Sequence, residues 1–229
     1  MIRTLILTDN RYALSVASEL QHRHPGVDVY QSSNGALKDI PRLIVKEHVG
    51  FILDNYDLVV SIHCKQFFPK ELVSSLRCIN VHPGYNPENR GWFPHVFSIL
   101  NGKKAGVTIH EMDEYLDHGP IIVQEEYIIQ SWDTSATIYQ KLLEIERTLL
   151  LAFFDRILQN DYVAELPSEG NVNYLKDYNA LKELELDHVG TLGEHIDKLR
   201  ALTHPPYQNA YFYDQDGQKV FIRVELTKE

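Results

Sequence analysis

The feature that most restricts the fold of this chain is a repeated alternation of short apolar runs with helix-like stretches. Leu5-Ile6-Leu7 reads as a buried strand that ends at Thr8-Asp9-Asn10, before a helical stretch from about Tyr12 to His22. Val27–Tyr30 is a second short strand, Pro41 to His48 fits a helix, Asp57–Ile62 is a third strand and Leu76–Val81 a fourth. Strands that alternate with helices must be joined by crossovers, which predicts an α/β fold: a Rossmann-like, largely parallel sheet flanked by helices. Ligands in such sheets gather beyond the carboxyl ends of the strands, and Asn10, His63 and His82 all follow strand ends. The first strand is not followed by a GxGxxG turn, so dinucleotide binding has little support.

Further along, Gly106–His110 and Pro120–Ile129 suggest two strands flanking a loop that carries Asp117. Thr134 to Leu158 is the clearest helix, with Ile138, Leu142, Ile145, Leu149, Phe153 and Ile157 spaced to form one apolar stripe. From Asn160 the sequence turns polar and rich in turn residues, which divides the chain into residues 1–160 and 161–229. In the second part, Thr191-Leu192-Gly193-Glu194 has capping-box spacing and starts a helix that runs to about Leu202. Asn209–Tyr213 and Val220–Leu226 then read as a hairpin turned at Asp214–Gly217. An isolated apolar hairpin is not stable, so this C-terminal helix and β-hairpin need a partner surface.

The chemistry concentrates in Cys78–Gly91. Asn80 and His82 lie two residues apart in an apolar run that Pro83 and Gly84 end, so both side chains share one face of a strand. Asp117, in Leu116-Asp117-His118-Gly119, can close the group from a second loop. An amide, an imidazole and a carboxylate suit acyl or formyl transfer, which needs a carbonyl oxygen held, a proton moved and an imidazolium stabilised. Each residue alone is more simply a turn Asn or a packed His; the three together favour chemistry.

Composition narrows the partners. The net charge of −10, from 22 basic and 32 acidic residues, gives no broad basic surface for nucleic acid. A nucleotide-linked small molecule needs only a local basic patch. Cys64 and Cys78 have no zinc spacing and read as reduced core thiols. No apolar run reaches the ~18 residues that span a bilayer. The expectation is a cytoplasmic protein that binds neither membrane nor nucleic acid.

Asn80-x-His82 after a strand, with Asp117 in Asp117-His118-Gly119, resembles the formyltetrahydrofolate-dependent formyltransferases. The run from His82 to Pro94 (His-Pro-Gly-Tyr-Asn-Pro-Glu-Asn-Arg-Gly-Trp-Phe-Pro) is similar to that of the sugar N-formyltransferases, rather than to the Pro-Ser-Leu-Leu-Pro continuation of other branches. The likeness covers Thr4 to about Asp155 and again Leu199 to Phe212. It implies transfer of a formyl group from N10-formyltetrahydrofolate, without a metal, to the amine of a nucleotide-linked dideoxy sugar. The sugar would be dTDP-4-amino-4,6-dideoxyglucose, destined for lipopolysaccharide O-antigen or another cell-surface polysaccharide. It further implies catalytic roles for Asn80, His82 and Asp117 and a folate site near Ser61, Lys65, Phe67, Met112, Asp113 and Tyr115. Asn10, Arg11, Arg90 and Tyr207 are candidates for the nucleotide sugar, with a capping turn, a solvated Arg and a junction Tyr as the plain alternatives. The terminal hairpin would support a homodimer. Three other readings stay open: a methionyl-tRNA formyltransferase, a metal-dependent hydrolase using His82, His110, Asp117 and His118, and a non-catalytic nucleotide-binding module.

Overall fold

The computed structural model describes residues 2–32 and 36–229. Along the chain, β1 (Thr4–Thr8) leads to α1 (Arg11–Arg23), β2 (Val27–Tyr30), α2 (Val49–Asn55), β3 (Leu58–Ile62), α3 (Lys70–Ser75) and β4 (Arg77–His82). A two-residue strand β5 (Arg90–Gly91) and helix α4 (Pro94–Asn101) precede β6 (Ala105–Glu111) and β7 (Ile121–Tyr127). The long α5 (Ser135–Gln159) is followed by β8 (Val172–Asn173), α6 (Leu175–Leu181), α7 (Leu192–Leu202) and the hairpin β9 (Tyr211–Tyr213) and β10 (Lys219–Phe221). The central sheet has the order β2-β1-β3-β4-β6-β7. Its first four strands are parallel, and β6 runs antiparallel to its neighbours β4 and β7, so that β7 shares the direction of the first four. The expected Rossmann-like fold with a C-terminal helix and hairpin is the one observed.

Side-chain alternation gives the sheet two different faces. One face carries Ile6, Val60, Ile62, Ile79, Val81, Val107 and Ile109 into a core completed by α1 and α5, including Leu20, Ile138, Leu142 and Phe154. The other face carries Leu5, Leu7, Val59 and Cys78 into a smaller core under α2 and α3, with Ile52 and Leu72 fully buried there. Towards the carboxyl ends of the strands this second face changes character. Register aligns Ser61 with Asn80 and Asn80 with His110, and in the next row His82 with Thr108 and Thr108 with Gln124. A block of polar side chains thus interrupts the apolar face.

Several local expectations need correction. Pro41–His48 is not a helix: Gln31 and Arg42 form a parallel bridge, and the Gln31 side chain donates to the carbonyls of Leu37 and Ile40 at 2.8 Å each. Only a 3-10 turn at Val45–Glu47 follows, and the helix proper begins at Val49. The apolar stripe on α5 holds, with Ile138, Leu142, Leu149 and Ile157 buried and Ile145 packed against them, but it is broader than the spacing suggests. Leu143, Leu150 and Phe154 are buried and Phe153 is only partly covered, while Glu146 lies among the buried positions. The last strand is shorter than Val220–Leu226: the chain leaves the hairpin after Phe221, and the Val224 N–H reaches Thr203 Oγ1 at 3.2 Å. Beyond α5, the body and the C-terminal segment are stitched together by Arg200, which is buried and donates to the carbonyls of Gln130 and Asp133.

Candidate active site

β4 delivers Asn80 and His82, and β6 delivers His110 beside Asn80, because the antiparallel register pairs those two positions. The loop between β6 and β7 then brings Asp117 over them. Asp117 Oδ1 accepts from Asn80 Nδ2 at 3.0 Å, and Oδ2 accepts from the Gly91 N–H at 3.0 Å while standing 3.5 Å from His82 Nδ1. Asp117 adopts a left-handed φ of 47°. Non-glycine residues occupy that region rarely and at some cost, and such strain collects at functional sites. Its own carbonyl is fixed by Asn86 Nδ2 at 2.7 Å. Thr108 completes the frame, accepting from the Asn86 N–H and donating to the Gly84 carbonyl.

Tautomers follow from the partners. His110 Nδ1 lies 2.6 Å from the Glu111 carbonyl, so Nδ1 carries the proton. Its Nε2 therefore accepts, and Asn80 Nδ2 is 3.3 Å away. Burial pushes the His110 imidazole below its ordinary range, with the Asp117 charge working against that, so His110 stays neutral. Both amide hydrogens of Asn80 are thus directed at Asp117 and His110. His82 is buried, and its Nε2 has no hydrogen-bond partner among the described residues. The ring lies against Gly84, where an added Cβ would fall 2.4 Å from Nε2. A glycine is required there for the imidazole to occupy this position.

The remaining predicted residues are distributed around this group. Ser61 is buried on β3 next to Asn80. The Lys65 N–H donates to Asp9 Oδ2 while its side chain is exposed, and Asp9 Oδ1 also accepts from the Ser32 N–H, so one carboxylate ties the loops after β2 and β3. Phe67 is 70% exposed and the neighbouring Phe68 is the core residue. Met112 packs on the smaller core, and Asp113 caps its own loop through the Tyr115 N–H and His118 Nδ1, leaving the Tyr115 ring exposed. Asn10 is the N-cap of α1: its Oδ1 accepts from Tyr12 and Ala13, and its Nδ2 donates to the Tyr139 hydroxyl. Arg11 is exposed and makes no ion pair among the described residues. Arg90 is partly buried on β5, with an Nε that lacks a partner among the described residues. Tyr207 is exposed beside the His204 ring.

Sequence reasoning gave His110 a part only in the hydrolase reading and gave none to Asn86 or Gly91. His110 carried a usable signal, since it shares the strand alternation of Thr108; the Gly91 N–H carried none. His118, a ligand in the hydrolase reading, turns to Asp113 instead. Among the described residues no group of three or more His, Cys, Asp or Glu is arranged to hold a metal ion, and no helix is long and apolar enough to cross a membrane.

A carboxylate that holds an amide and stands 3.5 Å from an imidazole, at the carboxyl edge of a largely parallel Rossmann-like sheet, is an arrangement able to move a proton in group transfer. Residues 41–170 match the Formyl transferase family, and residues 177–228 match the N-formyltransferase dimerization C-terminal domain. The chain is 54% identical over 226 residues to the dTDP-4-amino-4,6-dideoxyglucose formyltransferase of Mycobacterium tuberculosis H37Rv, covering 98% of this chain and 97% of that one. The crystal structure of a 4-N formyltransferase from Francisella tularensis superposes with a TM-score of 0.96 at 42% identity, covering 100% of this chain and 99% of the other. The methionyl-tRNA formyltransferase of Bacillus subtilis is 35% identical over 158 residues, 68% of this chain but 49% of its own length. The chain belongs to the formyltransferase family.

Proposed function

We propose that this chain transfers the formyl group of N10-formyltetrahydrofolate to the 4-amino group of dTDP-4-amino-4,6-dideoxyglucose. The observation that carries this reading is the convergence of Asn80, His82 and Asp117 within 3.5 Å, in a chain similar along almost its whole length to an enzyme named for that reaction.

The sugar reacts as the free amine, since an ammonium has no lone pair for the formyl carbon, and His82 accepts the proton its nitrogen sheds as the new C–N bond forms. An imidazole can take up a proton as a base and release it as an acid in successive steps. Asp117 faces Nδ1 and stabilises the resulting imidazolium. Asn80 donates to the formyl oxygen as negative charge develops, for which one of its two occupied N–H groups must turn from Asp117 or His110. That exchange is small, because the neutral His110 is the weaker acceptor. His82 then returns the proton to the departing folate nitrogen.

The loop from Ser61 to Phe67, with Met112, Asp113 and Tyr115, forms the folate side. Arg11, Arg90 and Tyr207 form the nucleotide-sugar side. Asn10 serves the phosphates only indirectly, since its amide is already spent on the cap and Tyr139. The C-terminal hairpin, with exposed Tyr213, Val220 and Phe221, is the homodimer surface, which the dimerization-domain match supports. The product would enter a cytoplasmic route to a cell-surface polysaccharide. A tRNA substrate is disfavoured by the charge of −10, and the likeness to the B. subtilis methionyl-tRNA enzyme spans only half of that enzyme. Incubation with N10-formyltetrahydrofolate and a panel of dTDP- and UDP-amino sugars tests the proposal. A formyl mass gain only on dTDP-4-amino-4,6-dideoxyglucose is expected; gain on none of them rejects it.

A further inference from the structure

We propose that Asn89 is a positioning residue for the reaction, acting through the Gly91 N–H on the Asp117 carboxylate; this rests on the role given to Asp117 above. Asn89 is fully buried and holds a left-handed φ of 49°. Asn tolerates that conformation better than most residues. Its side chain is completely engaged. Nδ2 donates to Ser98 Oγ at 3.1 Å and Asn101 Oδ1 at 3.2 Å, and Oδ1 accepts from Asn101, Asn171 and Asn173 at 2.8, 2.9 and 3.3 Å. Its own N–H donates to Asn171 Oδ1 at 3.1 Å. Three other asparagines therefore meet on one buried amide.

This node lays residues 89–92 against 171–173. The Arg90 N–H donates to the Asn171 carbonyl at 3.0 Å and the Trp92 N–H to the Asn173 carbonyl at 2.9 Å, so β5 and β8 run parallel with Gly91 opposite Asn173. Successive N–H groups of an extended strand point to opposite sides. With Arg90 and Trp92 facing β8, the Gly91 N–H must face away, and there it meets Asp117 Oδ2. Gly91 has φ 93°, and a Cβ would fall 2.4 Å from the Asn173 carbonyl oxygen. The two segments can approach this closely only at a glycine. Asp117 is thus aimed by a backbone donor whose direction is set at Asn89, and whose support strip lies at least fifty residues further along the chain.

A misplacement of about 1 Å at a reacting group can cost about 100-fold in rate. The test is a double-mutant cycle on kcat with thermal unfolding measured alongside. Asn89→Gly keeps the backbone conformation and removes the amide, and Asn171→Ala removes one spoke in case the first variant does not fold. Each is measured alone and combined with Asp117→Ala, using mass detection of formylated sugar over long incubations. Expected is a loss of about 10–100-fold in kcat from either variant, with both KM values little changed. In the Asp117→Ala background the same substitutions should cost less than about threefold. An undiminished effect in that background, or parental kcat in a folded Asn89→Gly or Asn171→Ala, overturns the proposal. Parental kcat in Asp117→Ala alone is a separate result that removes Asp117 from the chemistry and the proposal with it.

Discussion

The two faces of the sheet treat ionisable groups in opposite ways. On the face under α2 and α3, Asn80, His82, His110 and Asp117 sit in a polar block whose members share donors and leave His82 Nε2 uncommitted. On the face under α5, His63 Nε2 is locked 2.7 Å from Glu146 Oε2, with Glu146 buried and His63 mostly covered. Nearby, His95 Nε2 and His204 Nδ1 each lie 3.0 Å from Ser135 Oγ. Burial pushes His63 down, but the Glu146 charge and hydrogen bond outweigh it and leave the imidazole raised. Burial, with His204 beside it, drives His95 down to about 3. One face pairs its histidines with fixed partners; the other leaves an imidazole nitrogen without a partner among the described residues.

That contrast can be broken by substitution. His82→Ala should show the largest effect on turnover, a loss of about 100–10,000-fold in kcat with sugar-nucleotide affinity nearly unchanged. Steady-state rates with isothermal titration check it, and parental turnover would remove His82 from the mechanism. Glu146→Ala should do the reverse, since it leaves a buried imidazole without its partner. Removing one member of a buried pair costs about 3–5 kcal/mol, so denaturant unfolding should register a loss of that order while kcat of the folded enzyme changes little.

Stability against pH sharpens the comparison further. The raised His63 contributes stability that is full below its unfolded value near ~6.5 and is lost as pH rises through its higher folded value. The lowered His95 works the other way: between about 3 and ~6.5 the unfolded chain binds the extra proton, so stability falls as pH drops through that window. His95→Gln should flatten the acid limb of a melting-temperature profile and leave the alkaline limb in place. The smallest effect belongs to Asn10→Ala, which removes the cap of α1 and should cost about 1 kcal/mol. Asn10→Ser should recover most of it, and a large rise in the KM for the sugar nucleotide in both variants would instead make Asn10 a ligand-binding residue.

Much of the molecule was readable beforehand, for identifiable reasons. β1 and β3 are buried on both faces and so appear as largely apolar runs, and α5 is long enough for its period to dominate. Asn80 and His82 were legible because strand alternation is strict and Pro83-Gly84 marks the end of the run. The region from Pro41 was misread because Gln31, ten residues earlier, recruits that backbone by side-chain bonds that no local pattern announces. Phe67 and Phe68 show the same limit at single-residue scale. Either ring could fill the core, and only the path of the loop after β3 chooses Phe68.

What the sequence determined by itself, then, is whatever depends on short-range periodicity and turn chemistry: the alternating α/β order, the caps at Asn10, Thr134 and Thr191, and the shared face of Asn80 and His82. Tertiary structure alone decided how Asp117 is held. Its donors come from β4, from a glycine N–H on β5 and from the Asn86 side chain, and β5 is aligned by an asparagine cluster reaching to residue 173. Backbone donors leave no residue-type signature, and contacts across eighty positions are set by packing rather than by neighbours in the chain.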